Sequence, residues 1–115
     1  MERHIDVAKK IGTTSALTQE SGDIIYSEIV NCFERKEKLH LDFSNVESMI
    51  SPFLNRSIGK LYEKYTGEYI KEYLVMENFP QSKVSTLNIV ISNAKKYYAN
   101  KDAYLNIAKE VVDIG

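Results

Sequence analysis

The sequence holds one cysteine, no tryptophan, two prolines and five glycines, and neither sign of charge predominates. A single thiol excludes an intramolecular disulfide framework and a multi-cysteine zinc cage. No apolar run approaches the roughly 18 residues of a membrane-spanning helix, so no membrane association is expected. Fifteen Lys+Arg stand against sixteen Asp+Glu, a formal charge of -1, with an isoelectric point near 6.1. That balance lacks the basic footprint that covers phosphates, and nucleic acid is not an expected partner. Gly12, Gly22, Gly59, Gly67 and Gly115 form neither a dinucleotide fingerprint nor a phosphate loop. No Gly/Ser/Pro-rich linker and no internal repeat divides the chain. The opening Met1-Glu2-Arg3-His4-Ile5-Asp6 has no apolar stretch of a secretory leader, which makes the cytoplasm the expected compartment.

What is present suits a single domain over residues 1–115, with 43% hydrophobic and 27% charged residues. Leu39-His40-Leu41-Asp42-Phe43 alternates, predicting a strand with Leu39, Leu41 and Phe43 on one face and His40 and Asp42 on the other. Tyr73-Leu74-Val75-Met76 reads as a strand covered on both faces, and Ile5 and Val7 mark a weaker first strand. Ile25, Ile29 and Phe33 recur every fourth residue and predict a helix from about Ser21, its cap, to Arg35, with Asp23 at the positive end of the dipole. A second helix is predicted with Ser51 as cap, Pro52 in its first position, an apolar stripe of Leu54, Ile58, Leu61, Tyr62 and Tyr65, and Gly67 as its end.

Val84, Leu87, Ile91, Ala94 and Tyr98 suggest a third helix, although residues 87–91 also read as a strand. A last helix would carry Tyr104, Ile107, Ala108, Val111 and Val112, with Asn100 as its cap. Strands separated by helices favour parallel pairing through right-handed crossovers. The expected fold is a small α/β sandwich, with a mostly parallel sheet of three to five strands and about four helices.

Few side chains suggest chemistry. Cys32 falls near the C-terminal end of its helix, where the dipole opposes a thiolate, and reads as a small buried hydrophobe. His4 and His40 have no helical metal-ligand spacing; they would approach each other if the first two strands pair, but two ligands alone define no site. Glu68 and Glu72 read as solvated, as does the mixed run Glu34-Arg35-Lys36-Glu37-Lys38. Eight tyrosines suit either core edges or a protein interface, and homodimerisation through a sheet edge or a tyrosine-rich face stays open. The expectation is a non-enzymatic protein with no cofactor and no metal.

The most informative stretch runs from Leu41 to Asn55: a strand, a short polar loop and a helix start near Ser51. In parallel α/β sheets the loop leaving a strand's carboxyl end is the usual binding place. Free N–H groups at a helix start also favour an anion, so a small anionic ligand or a nucleotide is the alternative occupant. The candidate partner-binding residues are Ser44, Ser48, Ser51, Phe53, Asn55 and Arg56, and Ser51 and Ser48 are the candidate phosphorylation sites.

On Leu41-Asp42-Phe43-Ser44-Asn45-Val46, Ser51-Pro52-Phe53-Leu54-Asn55 and Ile58-Gly59-Lys60-Leu61, preceded by Leu17-Thr18-Gln19-Glu20-Ser21-Gly22, the chain resembles the STAS-like domain family of bacterial proteins. That family is similar to the STAS domains of anti-sigma factor antagonists, and the likeness runs through about residues 4–78. The resemblance implies a regulatory binding module in a bacterial cytoplasm. Its partner would be a histidine-kinase-type ATPase or an anti-sigma-like kinase, released when a serine at the helix start is phosphorylated; phosphate adds about -1.5 to -2 charges. Antagonists typically show Asp-Ser-Ser/Thr-Gly-Leu where this chain reads Ile50-Ser51-Pro52-Phe53-Leu54, which puts Pro52 at the usual phosphorylated position. Relatives often have an acidic residue near Arg56 and a basic one near Gln19, so their ion pair is not expected here.

Overall fold

A computed structural model describes the backbone of residues 1–114 and the side chains of residues 1–99. The chain runs β1 (Glu2–Asp6), α1 (Val7–Ile11), β2 (Ser15–Ala16), α2 (Gln19–Glu34), β3 (Lys38–Asp42), β4 (Ser48–Met49) and α3 (Ser51–Ser57). A 3-10 turn over Gly59–Glu63 follows, then α4 (Gly67–Tyr73), β5 (Leu74–Glu77), a second 3-10 turn over Gln81–Lys83 and α5 (Val84–Ile114). The strands form a parallel sheet in the order β1-β3-β5 and a separate two-stranded parallel pair of β2 with β4. The small α/β architecture with parallel strands is the one the alternation of strands and helices predicts.

The three-stranded sheet is closed on one face only. Leu39, Leu41 and Phe43 are buried in one cluster with Ile5, Leu74 and the inner face of α2, Ile25, Ile29, Cys32 and Phe33. The opposite face carries Glu2, His4, Asp6, His40, Asp42, Val75 and Glu77, none of them buried. The expectation that Leu74-Val75-Met76 is covered on both faces is therefore corrected: Leu74 is buried, but Val75 and Met76 are partly open.

Several boundaries differ from the sequence expectation for local reasons. Val7 opens α1 instead of extending β1, because the Asp6 carboxylate accepts a hydrogen bond from Lys9 N and starts a helix there. Thr18, not Ser21, caps α2: its Oγ1 accepts from Ser21 N at 3.0 Å, which leaves Ser21 buried inside the first turn. At the other end of α2, Lys36 takes a left-handed φ of 57° and Glu37 N donates to Cys32 O, which turns the chain into β3.

The helix predicted from Ser51 to Gly67 breaks into two pieces. Ser51 is the first helical residue rather than the cap; Ile50 occupies the cap position without a side-chain cap bond, and Pro52 follows in the first turn. The Ser57 hydroxyl, fully buried, donates to Phe53 O at 2.8 Å, a back-bond that loosens the helix it sits in. The chain then tightens into the Gly59 turn, where a Cβ would lie 3.4 Å from Val90 Cγ1 of α5. Gly67 begins α4 instead of ending α3, with Thr66 Oγ1 accepting from Tyr69 N. Residues 87–91 are helical within α5, a single helix where two are predicted. The stripe at Tyr104, Ile107, Ala108, Val111 and Val112 and the Asn100 side chain lie outside the described side chains.

Candidate functional site

The strand β3 ends in a carboxylate that organises the following loop. Asp42 accepts hydrogen bonds from Ser44 N (2.9 Å), Ser44 Oγ (3.1 Å) and Asn78 Nδ2 (3.0 Å). These donors, Asn78 first, hold its carboxyl below the usual aspartate range. Asn45 reaches the neighbouring strand end, where its Nδ2 donates to Asp6 Oδ2 at 2.8 Å. Val46 is the loop's buried anchor, while Ser44, Asn45, Glu47 and Ser48 are exposed.

The loop then crosses to β2. Glu47 N donates to Thr14 O at 2.8 Å, Thr14 Oγ1 donates to Glu47 Oε2 at 3.2 Å, and Ile50 N donates to Ala16 O at 3.2 Å. Ala16 and Met49 are register partners. Leu17 and Ile50, the residues that follow these partners on each chain segment, are 44% and 39% exposed. Two aliphatic side chains thus stand on the surface, Ile50 between Ser48 and Ser51 in sequence.

The candidate residues divide. Ser44, Ser48, Ser51 and Asn55 are exposed on the loop and the outer side of α3. Asn55 borders a shallow concavity shared with Gly59, Asn93, Ala94 and Tyr97. Phe53 is a correction: it is fully buried in the core cluster, because α3 packs closely on α2 and turns that ring inward, so it cannot meet a partner. Arg56 is only partly exposed and is committed to Asp23 of α2, Nε to Oδ1 at 2.9 Å and Nη2 to Oδ2 at 3.1 Å. Contrary to the expectation of no ion pair at this position, Arg56 has one, with Asp23 instead of residue 19 as the counter-charge. At the α3 start, Pro52 contributes no N–H, and the helix has seven residues, which weakens the case for an anion there.

Sequence reasoning missed Leu17 and Ile50, whose exposure at the ends of β2 and β4 is not announced by two-residue strands. It also missed Glu2 and Glu77, which the sheet brings to the two histidines. His4 and His40 are register partners across β1 and β3, and their rings stack with centroids 4.4 Å apart. The condition that would bring them together is met.

Two other readings of single residue types are resolved by packing. Cys32 is fully buried, and that burial pushes its thiol pKa up, away from the reactive form. Tyr65, Tyr69 and Tyr73 close the core edge around Phe33 with edge-on ring contacts, and Tyr69 Oη donates to Phe33 O at 2.9 Å. Their rings serve this chain's own core.

A parallel sheet covered on one face, with an exposed loop leaving its central strand, makes this a small α/β domain whose accessible edge lies at the strands' carboxyl ends. No helix among the described residues is long and apolar enough to cross a membrane. Residues 21–82, more than half of the chain, match the family described as STAS-like domain of unknown function (DUF4325). The chain belongs to that family. No curated protein and no solved structure shows significant similarity to it.

Proposed function

We propose that this STAS-like domain is a non-enzymatic regulatory module that binds another protein through the loop after β3 and the outer side of α3. The observation that carries this reading is the exposure of Leu17 and Ile50, the residues that follow the register partners Ala16 and Met49, together with the exposure of Ser48 and Ser51. An apolar centre with a polar rim is the composition of a protein interface. The loop beneath it is held from both sides, by Asp42 and Asp6 and by Thr14, so its shape is set before a partner arrives.

STAS domains are often regulatory, and a kinase or ATPase-type partner is the class this reading favours. Ser51 and Ser48 are the groups through which such a partner would be switched. Each has an exposed hydroxyl, whereas Pro52 has none. A phosphate at either would place about two negative charges beside Leu17 and Ile50 and repel an apolar or acidic partner surface.

The test is photo-crosslinking in the source organism. A photoreactive residue at Ile50 or Asn55 should give one discrete protein adduct that the same residue at Lys71, exposed on α4, does not give. Identical adducts at all three positions, or adducts at Lys71 alone, would reject this surface.

A further inference from the structure

The uncovered face of the three-stranded sheet carries a cluster that neither the core nor the proposed partner surface uses. Parallel register sets His4 beside His40, and Asp42 beside Glu77 one pleat further along. The two imidazoles stack with an interplanar angle of 17°. Glu77 faces both: its Oε1 lies 3.9 Å from His4 Nδ1 and its Oε2 lies 3.6 Å from His40 Nδ1. The ligand atoms of these three residues all lie within 4.8 Å of one another.

The tautomer of His40 decides what such a cluster can take. His40 Nε2 lies 2.5 Å from Glu2 Oε1, a contact in which the carboxylate accepts and the ring nitrogen must carry the proton. In the neutral ring that leaves Nδ1 as a bare lone pair. Nδ1 is buried and has no hydrogen-bond partner; Glu77, at 3.6 Å, is too distant and has no proton to offer when ionised. A buried acceptor without a donor is costly, and a cation is what would satisfy it. Histidines that bind metals generally donate their other ring N–H to a carboxylate, the relation in which Glu2 stands to His40.

We propose that His4, His40 and Glu77 form a binding site for a divalent first-row transition metal of the zinc class, with Glu2 as the residue that fixes the His40 tautomer. Two imidazoles and a carboxylate suit such an ion, whereas calcium and magnesium favour oxygen ligands throughout. Tetrahedral zinc, with bonds of about 2.0–2.1 Å, needs ligand atoms roughly 3.3 Å apart. Through its two oxygens Glu77 exceeds that by about 0.3 Å at His40 and about 0.6 Å at His4, and the single ligand atoms of the three residues by at most about 1.5 Å. The His4 side chain is 68% exposed and free to swing off the stack to close the remaining gap. The open face leaves a coordination position to water, and Cys32, buried in the core, does not compete for the ion. This site is independent of the partner-binding surface, and failure of either leaves the other standing.

The experiment uses tag-free, full-length protein stripped with a chelator and titrated with zinc. Calorimetry reads stoichiometry and affinity, and NMR reads the two imidazoles, the only ones in the chain. The expected result is one equivalent of zinc, movement of both ring signals and no such movement with magnesium. His4→Gln, at an exposed position, and His40→Gln should each weaken zinc binding by at least the roughly tenfold that even outer partners cost. Glu2→Gln should weaken it about 10- to 100-fold while retaining one-to-one binding. Cobalt in place of zinc should give visible absorption bands that His4→Gln reduces. Zinc uptake unchanged by His4→Gln, no saturable uptake at all, or ring signals that move with pH but not with zinc would overturn the assignment.

Discussion

Arg56 of α3 and Asp23 of α2 are joined by two hydrogen bonds, 2.9 and 3.1 Å long, that tie the two helices together. A guanidinium fork on a carboxylate fixes direction as well as distance. The hydrogen bond from Arg56 holds the Asp23 carboxyl below the usual range.

The acid dependence follows from that direction. A carboxyl whose folded pKa is depressed contributes stability that is present above its unfolded value, near 4, and lost as pH falls through the lower folded value. Urea midpoints measured from neutral pH downward should therefore fall below about pH 4 in the wild type, and Asp23→Asn should flatten that acid limb. Identical acid limbs in the two proteins would show that the pair contributes nothing to stability.

Gly22 makes the same helix contact possible from the α2 side. A Cβ there would lie 2.7 Å from both Arg56 Cβ and Phe53 O, too close for α3 to remain where it is. Gly22→Ala should destabilise by about 1–3 kcal/mol in denaturant titration, despite alanine's better helix propensity. Gly59→Ala, whose added methyl would meet Val90 Cγ1 at 3.4 Å, should cost less. Equal losses would mean that the α2–α3 approach is not the tighter contact.

The sequence shows what periodicity can show. The alternation from Leu39 to Phe43 separates the buried from the open face of β3, with Leu39 and Leu41 fully buried and His40 and Asp42 on the other side. Helical spacing of Ile25, Ile29 and Phe33 likewise finds the inner face of α2. The break after Ser57 is invisible to it, because Leu54 of α3, Leu61 of the 3-10 turn and Ile58 between them are all buried in the one core. What breaks the helix is a hydroxyl back-bond and the approach of α5 to Gly59, neither of which has a period.

The candidate site was legible as a segment but not residue by residue. An exposed polar loop after the central strand is where Ser44 and Ser48 indeed sit. Phe53 lies within the same segment yet faces inward, since its direction depends on the α2 contact at Gly22. His4, His40 and Glu77 meet only through strand register. Sequence distance gives no sign of that meeting.

Tyr65 sets an alkaline limit. Burial, with the hydrogen bond its Oη donates to Glu34 Oε2 at 2.8 Å, pushes its pKa up to about 12. A phenol whose folded pKa is raised contributes stability that is full below pH 10 and disappears as pH climbs through 12. Absorbance at the phenolate band should show a late-titrating tyrosine that is missing from Tyr65→Phe. Tyrosines that all titrate near pH 10 in the folded protein would contradict this environment.

Cys32 should be nearly inert. Its full burial and raised pKa predict that a disulfide reagent modifies it at neutral pH only as fast as the protein unfolds. Reaction in folded protein should thus be orders of magnitude slower than in urea. A folded-state rate close to the denatured one would show that the thiol is reachable.

Amide hydrogen exchange of the partner complex, compared with the free domain, bears most directly on the main functional reading. Once a partner has been captured, binding should slow exchange at residues 44–51 and at Leu17, with little change along α4. Slowing confined to α4 or to the open sheet face, with residues 44–51 exchanging as in the free domain, would contradict it.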